Sequence, residues 1–285
     1  MMAGFGYGTI RIIQSLRNDD QQTGEQLANY LKAIVDPADE WRIQLNDEVY
    51  NRNDLFKELK DIQRDLRENR HVPIIQIETH GLLGERGLEL ASRDEVLWSE
   101  LTPVLKEINE LSQINLLVVF SACWGASFIN AFQISGIAPA WGFIGPEKAK
   151  SPSALLSVWK EFYFRLLAGV SNDFERILNR ASIEIFSKEK GFRFFHAELL
   201  FRWVFESYLD QWCSTKAIQQ RANDLFREQV GRSGTDQELA RIIRGLSDHK
   251  SHFERLKKEF FMLEKCPQNA DRFTIQYRDL TPSTK

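Results

Sequence analysis

Three observations in the 285-residue sequence predict an α/β protein, a mainly parallel sheet with helices on both faces followed by a C-terminal helical hairpin. Short apolar runs of strand length occur at Thr9–Leu16, Pro73–His80 and Ile114–Phe120. Between them lie segments whose apolar residues recur every three or four positions, the period of a helix with one buried face. From Gly191 onward, strand patterning gives way to helical periods rich in aromatic residues. Strands alternating with helices argue for parallel pairing with both sheet faces covered. The change at Gly191 divides the chain into a domain over 1–190 and a helical extension over 191–285.

In chain order, TIRIIQSL at Thr9–Leu16 reads as the first strand. Glycines 4, 6 and 8 precede it, whereas a dinucleotide-binding glycine loop must follow its strand and open a helix, so no nucleotide site is expected there. A helix over Gly24–Val35 carries Leu27, Tyr30, Leu31 and Ile34, and Trp41–Val49 is a second strand. The helix over Asp54–Glu68 sets Leu55, Leu59, Ile62 and Leu66 on one face. After the Pro73–His80 strand, the glycine-punctuated GLLGERGLELASRDE predicts a mobile, activity-gating loop that leads to a helix over Asp94–Leu111. A strand at Ala138–Ile144 and helices over Ser153–Leu167 and Asn172–Lys188 follow, the last with Asn172 and Glu175 as a capping box. His196–Val230 reads as helix. Residues 231–234 (GRSG) break it, Thr235 and Glu238 form a second capping box, and apolar residues from Leu239 to Leu263 complete a helical hairpin. The one later segment with strand character is Phe273–Tyr277.

Hydrophobic content of 43% and charged content of 27% suit a globular chain with a sizeable core. A net charge of −3 gives no electrostatic reason to expect nucleic acid as a partner. Three cysteines do not make a disulfide framework, which favours a reducing compartment. No uncharged apolar run approaches the roughly 18 residues of a membrane helix, and MMAGFGYGTIRII lacks the build of a signal peptide. The expectation is a cytoplasmic protein without stable membrane insertion.

The chemistry-bearing stretch is Ile114–Ser127, INLLVVFSACWGAS. A strand buried on both faces runs into small residues and a cysteine, then into a new apolar segment that reads as helix. Cys123 thus falls at the carboxyl edge of a sheet and before a helix N-terminus, whose partial positive charge favours thiolate over thiol. Pro73–Gly81, PIIQIETHG, repeats the design and ends in His80 and Gly81. Neighbouring strands would set His80 and Cys123 across from each other. A nucleophilic thiol needs a base and donors for the oxyanion. Here the base is His80, and the donors are the backbone N–H groups of Gly81 and Cys123, the glycine letting substrate come close to the backbone.

ETHG followed by LLVVFSACWGAS resembles the caspase-like cysteine peptidases, above all the CHAT-type branch, in which a strand ending in His-Gly precedes one ending in Ser-Ala-Cys. The resemblance continues through GLEL-ASRDEVLWSEL, APAWGFIGPE and the helical SALLSVWKEFYFRLLAGVSNDFERILNRAS, so it spans about Thr9–Ser187 at low identity. It implies a Cys123/His80 dyad that cleaves peptide bonds without a cofactor or metal. It also implies similarity to compact bacterial proteases that release pore-forming gasdermins in antiviral defence. Many relatives carry an acid near the nucleophile to bind a basic substrate residue; Phe120 and Ser121 stand there instead, which leaves Ser121 as a candidate substrate contact of another kind. Arg17, after the first strand, is a candidate for holding an acidic residue, while Trp124 and Trp141 could seat an apolar one.

Two other functions compete. A thiol-dependent α/β-hydrolase would use Cys123 with a later histidine, His196 first, although Ser121 replaces the glycine favoured two places before the nucleophile. A catalytically silent scaffold would use the helical hairpin to contact a regulatory protein. His249 and His252 could clip a metal but lack a further ligand nearby. Cys213, Cys266, His71 and His196 read as packing or turn residues.

Overall fold

The computed structural model of the chain describes residues 6–132, 135–168 and 191–280. Its strands are β1 (Thr9–Gln14), β2 (Ile43–Asn46), β3 (Pro73–Glu78), β4 (His80–Gly81), β5 (Gly87–Glu89), β6 (Glu95–Leu97), β7 (Leu117–Ser121), β8 (Gly142–Pro146) and β9 (Phe192–His196). Six of them form one sheet in the order β2-β1-β3-β7-β8-β9, and β4, β5 and β6 form a separate three-stranded sheet. All pairs in the larger sheet are parallel except β8 with β9.

Helices α1 (Thr23–Ile34) and α4 (Pro152–Ala168) pack together, as do α2 (Arg52–Asn69) and α3 (Trp98–Leu111). Residues three apart on a strand point to opposite faces. The β1 contacts therefore place the two helix pairs: Gln14 Oε1 accepts the Glu25 N–H of α1, whereas Arg11 is ion-paired with Asp65 of α2. Every residue of β3, β7 and β8 is buried, as expected of strands between two helical layers. Beneath α3 the core is aromatic, with Trp98, Phe120, Phe128 and Phe143 in edge-to-face or tilted contact at 5.0–6.3 Å between ring centroids.

Four expectations need correction. FRFFH, placed at the start of the helical extension, is instead the edge strand β9. Phe194 lies 5.9 Å from Trp141, Phe195 stacks on Phe143 at 4.8 Å, and Phe192 meets Trp159 at 5.3 Å, so aromatic packing on β8 and α4 fixes an extended backbone. The chain accordingly divides into two compact units at Ala197, with residues 135 and 136 grouped with the second. The glycine-rich excursion is not an open loop. It folds as β4–β5–β6, and the Glu85 carbonyl at its tip accepts from both Trp98 Nε1 (2.9 Å) and Ser127 Oγ (2.8 Å). The segment after Cys123 is a seven-residue 3-10 turn, Gly125–Ala131, rather than an α-helix. Residues Phe273–Tyr277 make no strand; Phe273 stacks on Phe261 at 4.4 Å. The helix expected at Asn172–Lys188, with its capping box, lies outside the described residues.

The second unit is helical: α5 (Ala197–Trp212), α6 (Thr215–Val230), α7 (Asp236–Ser247), α8 (His249–Phe260) and the short α9 (Asn269–Arg272). The long helix expected from His196 breaks at Ser214, whose hydroxyl caps α6 by accepting the Ala217 N–H. Ile218 and Ala222 of α6 pack with Leu239 and Leu246 of α7 as the predicted hairpin, but the second arm, expected to run from Leu239 to Leu263, breaks at Asp248, whose side chain caps α8. Thr235 and Glu238 form the predicted capping box, and the Arg232 hydrogen bond is the main force holding the Glu238 carboxyl down at about 2. Phe201 and Phe205 of α5 pack against Phe253 of α8 at 5.3 and 5.2 Å. No described helix is long and apolar enough to cross a membrane.

Candidate active site

β3 and β7 lie side by side in register, Ile74 opposite Leu117 and Glu78 opposite Ser121. The match persists past the strand ends, where the Thr79 N–H reaches the Ser121 carbonyl at 3.4 Å. His80 and Cys123 each stand two residues beyond the last pair. They therefore occupy corresponding positions at the carboxyl edge of the sheet, where ligands bind open α/β sheets. Both are half-buried, and the His80 side chain keeps 38% of its surface in solvent.

Gly81 lies against the Cys123 backbone. A Cβ at this position would fall 1.8 Å from the Cys123 carbonyl oxygen. Glycine is thus required by the approach of the Cys123 turn. Its N–H direction follows from the hairpin ladder. Leu82 donates to the Gly87 carbonyl at 3.0 Å, and in an antiparallel ladder bonded and non-bonded pairs alternate. The Gly81–Leu88 pair is non-bonded, so the Gly81 N–H points away from β5. Trp124 adopts the left-handed conformation, φ 58°, uncommon for a bulky residue. Its carbonyl accepts the Ser127 N–H at 2.9 Å, which fixes the turn that presents the thiol. The Cys123 Sγ lies 3.9 Å from the Lys150 carbonyl, its hydrogen-bond acceptor.

Around His80 are charged groups that the sequence did not single out. Asp20 Oδ2 is 2.8 Å from His80 Nε2. Burial works against the Asp20 charge, but bonds from His80 and the Arg17 N–H, with the nearby positive charge, hold its carboxyl below its usual range. Arg17 Nη1 sits 3.5 Å from the same ring nitrogen while Nη2 pairs with Glu89, the residue opposite His80 in the β4–β5 ladder. With its guanidinium so engaged, Arg17 is built into the histidine's surroundings, not held out for an acidic substrate side chain. In the sequence Asp20 is one polar residue among several in NDDQQ, between the first strand and the first helix. The available signal was topological, since the loop after β1 opens at the same sheet edge as His80.

Beneath this edge lies a buried polar cluster. The Glu78 carboxyl accepts from Thr23 Oγ1 and Gln76 Nε2, each at 2.7 Å, and from Ser121. Tyr163 OH donates to Gln76 Oε1 at 2.9 Å, and Trp159 Nε1 donates to Ser121 Oγ at 2.8 Å. Ser121, expected to touch substrate, is 2% exposed and committed to this cluster. Trp141 is fully buried against Phe194 and His196, hence core, whereas Trp124 remains half-exposed beside the thiol.

Burial is the largest influence on Glu78 and raises its carboxyl above the usual value of 4.5, against three hydrogen bonds that oppose it. A carboxyl raised on folding binds its proton more tightly in the native state. Its contribution to stability is therefore full below 4.5 and declines as pH rises through the folded value. We expect wild type to lose stability relative to Glu78→Gln as pH rises above 4.5, and Glu78→Ala to cost about 3 kcal/mol through its orphaned donors. Chemical denaturation of the three proteins across that range measures both effects.

The hydrolase alternative meets an obstacle in the topology. His196 pairs with Gly142, itself opposite Leu117 at the start of β7. Cys123 lies past the opposite end of β7, whose span from Leu117 to Ser121 alone is about 13 Å at roughly 3.3 Å per residue. His196 is at the wrong edge. Among the described residues, no group of three or more metal-ligating side chains is assembled. No family model matches the sequence, and no curated protein matches it.

Proposed function

We propose that the chain is a caspase-like cysteine peptidase that cleaves a protein or peptide substrate with Cys123 as nucleophile and His80 as general base and acid. The observation that carries this reading is the β3–β7 register, which delivers an imidazole and a half-exposed thiol to corresponding strand tips, with Gly81 lodged against the Cys123 carbonyl. In the reaction the Cys123 proton passes to His80 as sulfur bonds to the scissile carbonyl carbon. The oxyanion forms beside the Gly81 and Cys123 N–H groups. His80 then protonates the leaving amine, and water, deprotonated by the same ring, releases the acyl group and restores the thiol.

The reading includes a cytoplasmic setting and a regulatory protein partner on the C-terminal helices. By resemblance to compact bacterial caspase-like proteases, it also includes a gasdermin-like pore-forming protein as substrate in antiviral defence. Two experiments test the core of it. A thiol-reactive peptide probe is expected to label the protein in a Cys123-dependent way. Cleavage profiling over a peptide library, with Cys123→Ala as control, is expected to return a discrete preference for the residue before the cut. Labelling that survives Cys123→Ala would favour the silent scaffold.

A further inference from the structure

We propose that Asp20 is a positioning residue, whose carboxylate holds the His80 ring in the tautomer that leaves Nδ1 as the base for Cys123; this rests on the peptidase reading above. A carboxylate can only accept, so its 2.8 Å contact places the hydrogen on Nε2 and the lone pair on Nδ1. The carboxylate is held by its own turn. The same Oδ2 accepts the Arg17 N–H at 2.9 Å, and the Asp20 N–H returns to the Arg17 carbonyl at 3.0 Å. Gln22 Nε2 spans the carbonyls of Arg17 and Asp20 at 2.8 and 2.9 Å, and its own carbonyl accepts from Gln14 Nε2 at the buried end of β1. The carboxylate is therefore placed by the sheet independently of the imidazole it meets.

Arg17 does not compete for that nitrogen. Its Nη1, 3.5 Å away, is a donor facing a donor once Nε2 carries hydrogen, and the guanidinium is drawn instead to Glu89. When the Cys123 proton moves from Sγ to Nδ1, both ring nitrogens are protonated. Asp20 then supplies the countercharge without taking a proton itself, the part an aspartate plays beside histidine in serine hydrolases.

The test needs no substrate. Nitrogen NMR of the neutral His80 ring in wild type is expected to show protonated Nε2 and bare Nδ1, and Asp20→Ala to mix the tautomers. Alkylation of Cys123 by iodoacetamide, read by mass spectrometry with Cys213 as internal reference, is expected to slow about 10-fold in Asp20→Ala. Asp20→Asn keeps the shape, but its amide can donate to Nε2 as well as accept from it, so it too should mix the tautomers and slow Cys123, and unchanged ring signals and rate in that protein would overturn the proposal. It decides the question if the alanine protein does not fold. Unchanged ring signals and an unchanged Cys123 rate in Asp20→Ala, beside a thiol whose reactivity needs His80, would overturn the proposal alone. A His80→Ala protein whose Cys123 reacts at the wild-type rate would overturn the peptidase reading and the proposal with it.

Discussion

Replacing Cys123 by alanine is expected to reduce peptide cleavage to background, and replacing His80 by alanine to lower kcat/KM about 10³- to 10⁴-fold. The double variant should be no worse than Cys123→Ala, because groups that act as one unit do not add. Both side chains sit at half-exposed strand tips outside the core, so thermal midpoints of the single variants should stay close to wild type. This combination, activity gone and fold intact, separates a chemical role from a packing one. Steady-state kinetics on a substrate from library profiling, with thermal melts alongside, measures it. A His80→Ala protein that cleaves at the wild-type rate would remove the imidazole from the mechanism.

The second large effect is expected at Gly81. An added methyl would stand 1.8 Å from the Cys123 carbonyl oxygen and 2.7 Å from its carbon, both backbone atoms that no rotamer change can clear. The β4 strand or the Cys123 turn must shift by an ångström or more. We expect Gly81→Ala to cost about 3 kcal/mol of stability, the upper range for overpacking. The displaced reacting groups should lose about 100-fold in kcat/KM. Gly245 is the control. Nothing lies within 4 Å of a Cβ there, inside α7, so Gly245→Ala should stabilise by about 0.5–1 kcal/mol through helix propensity and leave cleavage unchanged. Equal melts for Gly81→Ala and wild type would mean that the close approach is absent in solution.

The parts of this site that could be read from the sequence are those with a long-range pattern. Two apolar runs, each ending in small residues and a reactive side chain, announce buried parallel strands, and their likeness places His80 and Cys123 at one edge. Shorter elements carry no such pattern. β4 has two residues, β5 and β6 have three each, and their pairing is decided by contacts far along the chain. FRFFH has enough aromatic content for a helix face, and only Phe143 and Trp141 beside it make it a strand. Asp20 was hidden for a different reason. Polar turns are usually solvated, and nothing local marks the one carboxylate that a turn will aim at a histidine. Ser121 and Trp141 failed in the opposite way, because nearness to the nucleophile in sequence says nothing about which sheet face a side chain takes.

The shared register of β3 and β7 has a consequence for how such a site can change. Side-chain direction along an extended backbone alternates with every residue, so the distance between imidazole and sulfur can be adjusted only in discrete jumps. Inserting one residue between Glu78 and His80 is expected to turn the ring to the other face and, on the peptidase reading, to leave the thiol without its proposed base. Inserting two would restore its direction but carry it nearly 7 Å further along the strand. Length variation at this edge is therefore confined to the hairpin tip around Leu83, 82% exposed, where added residues leave the pleat undisturbed.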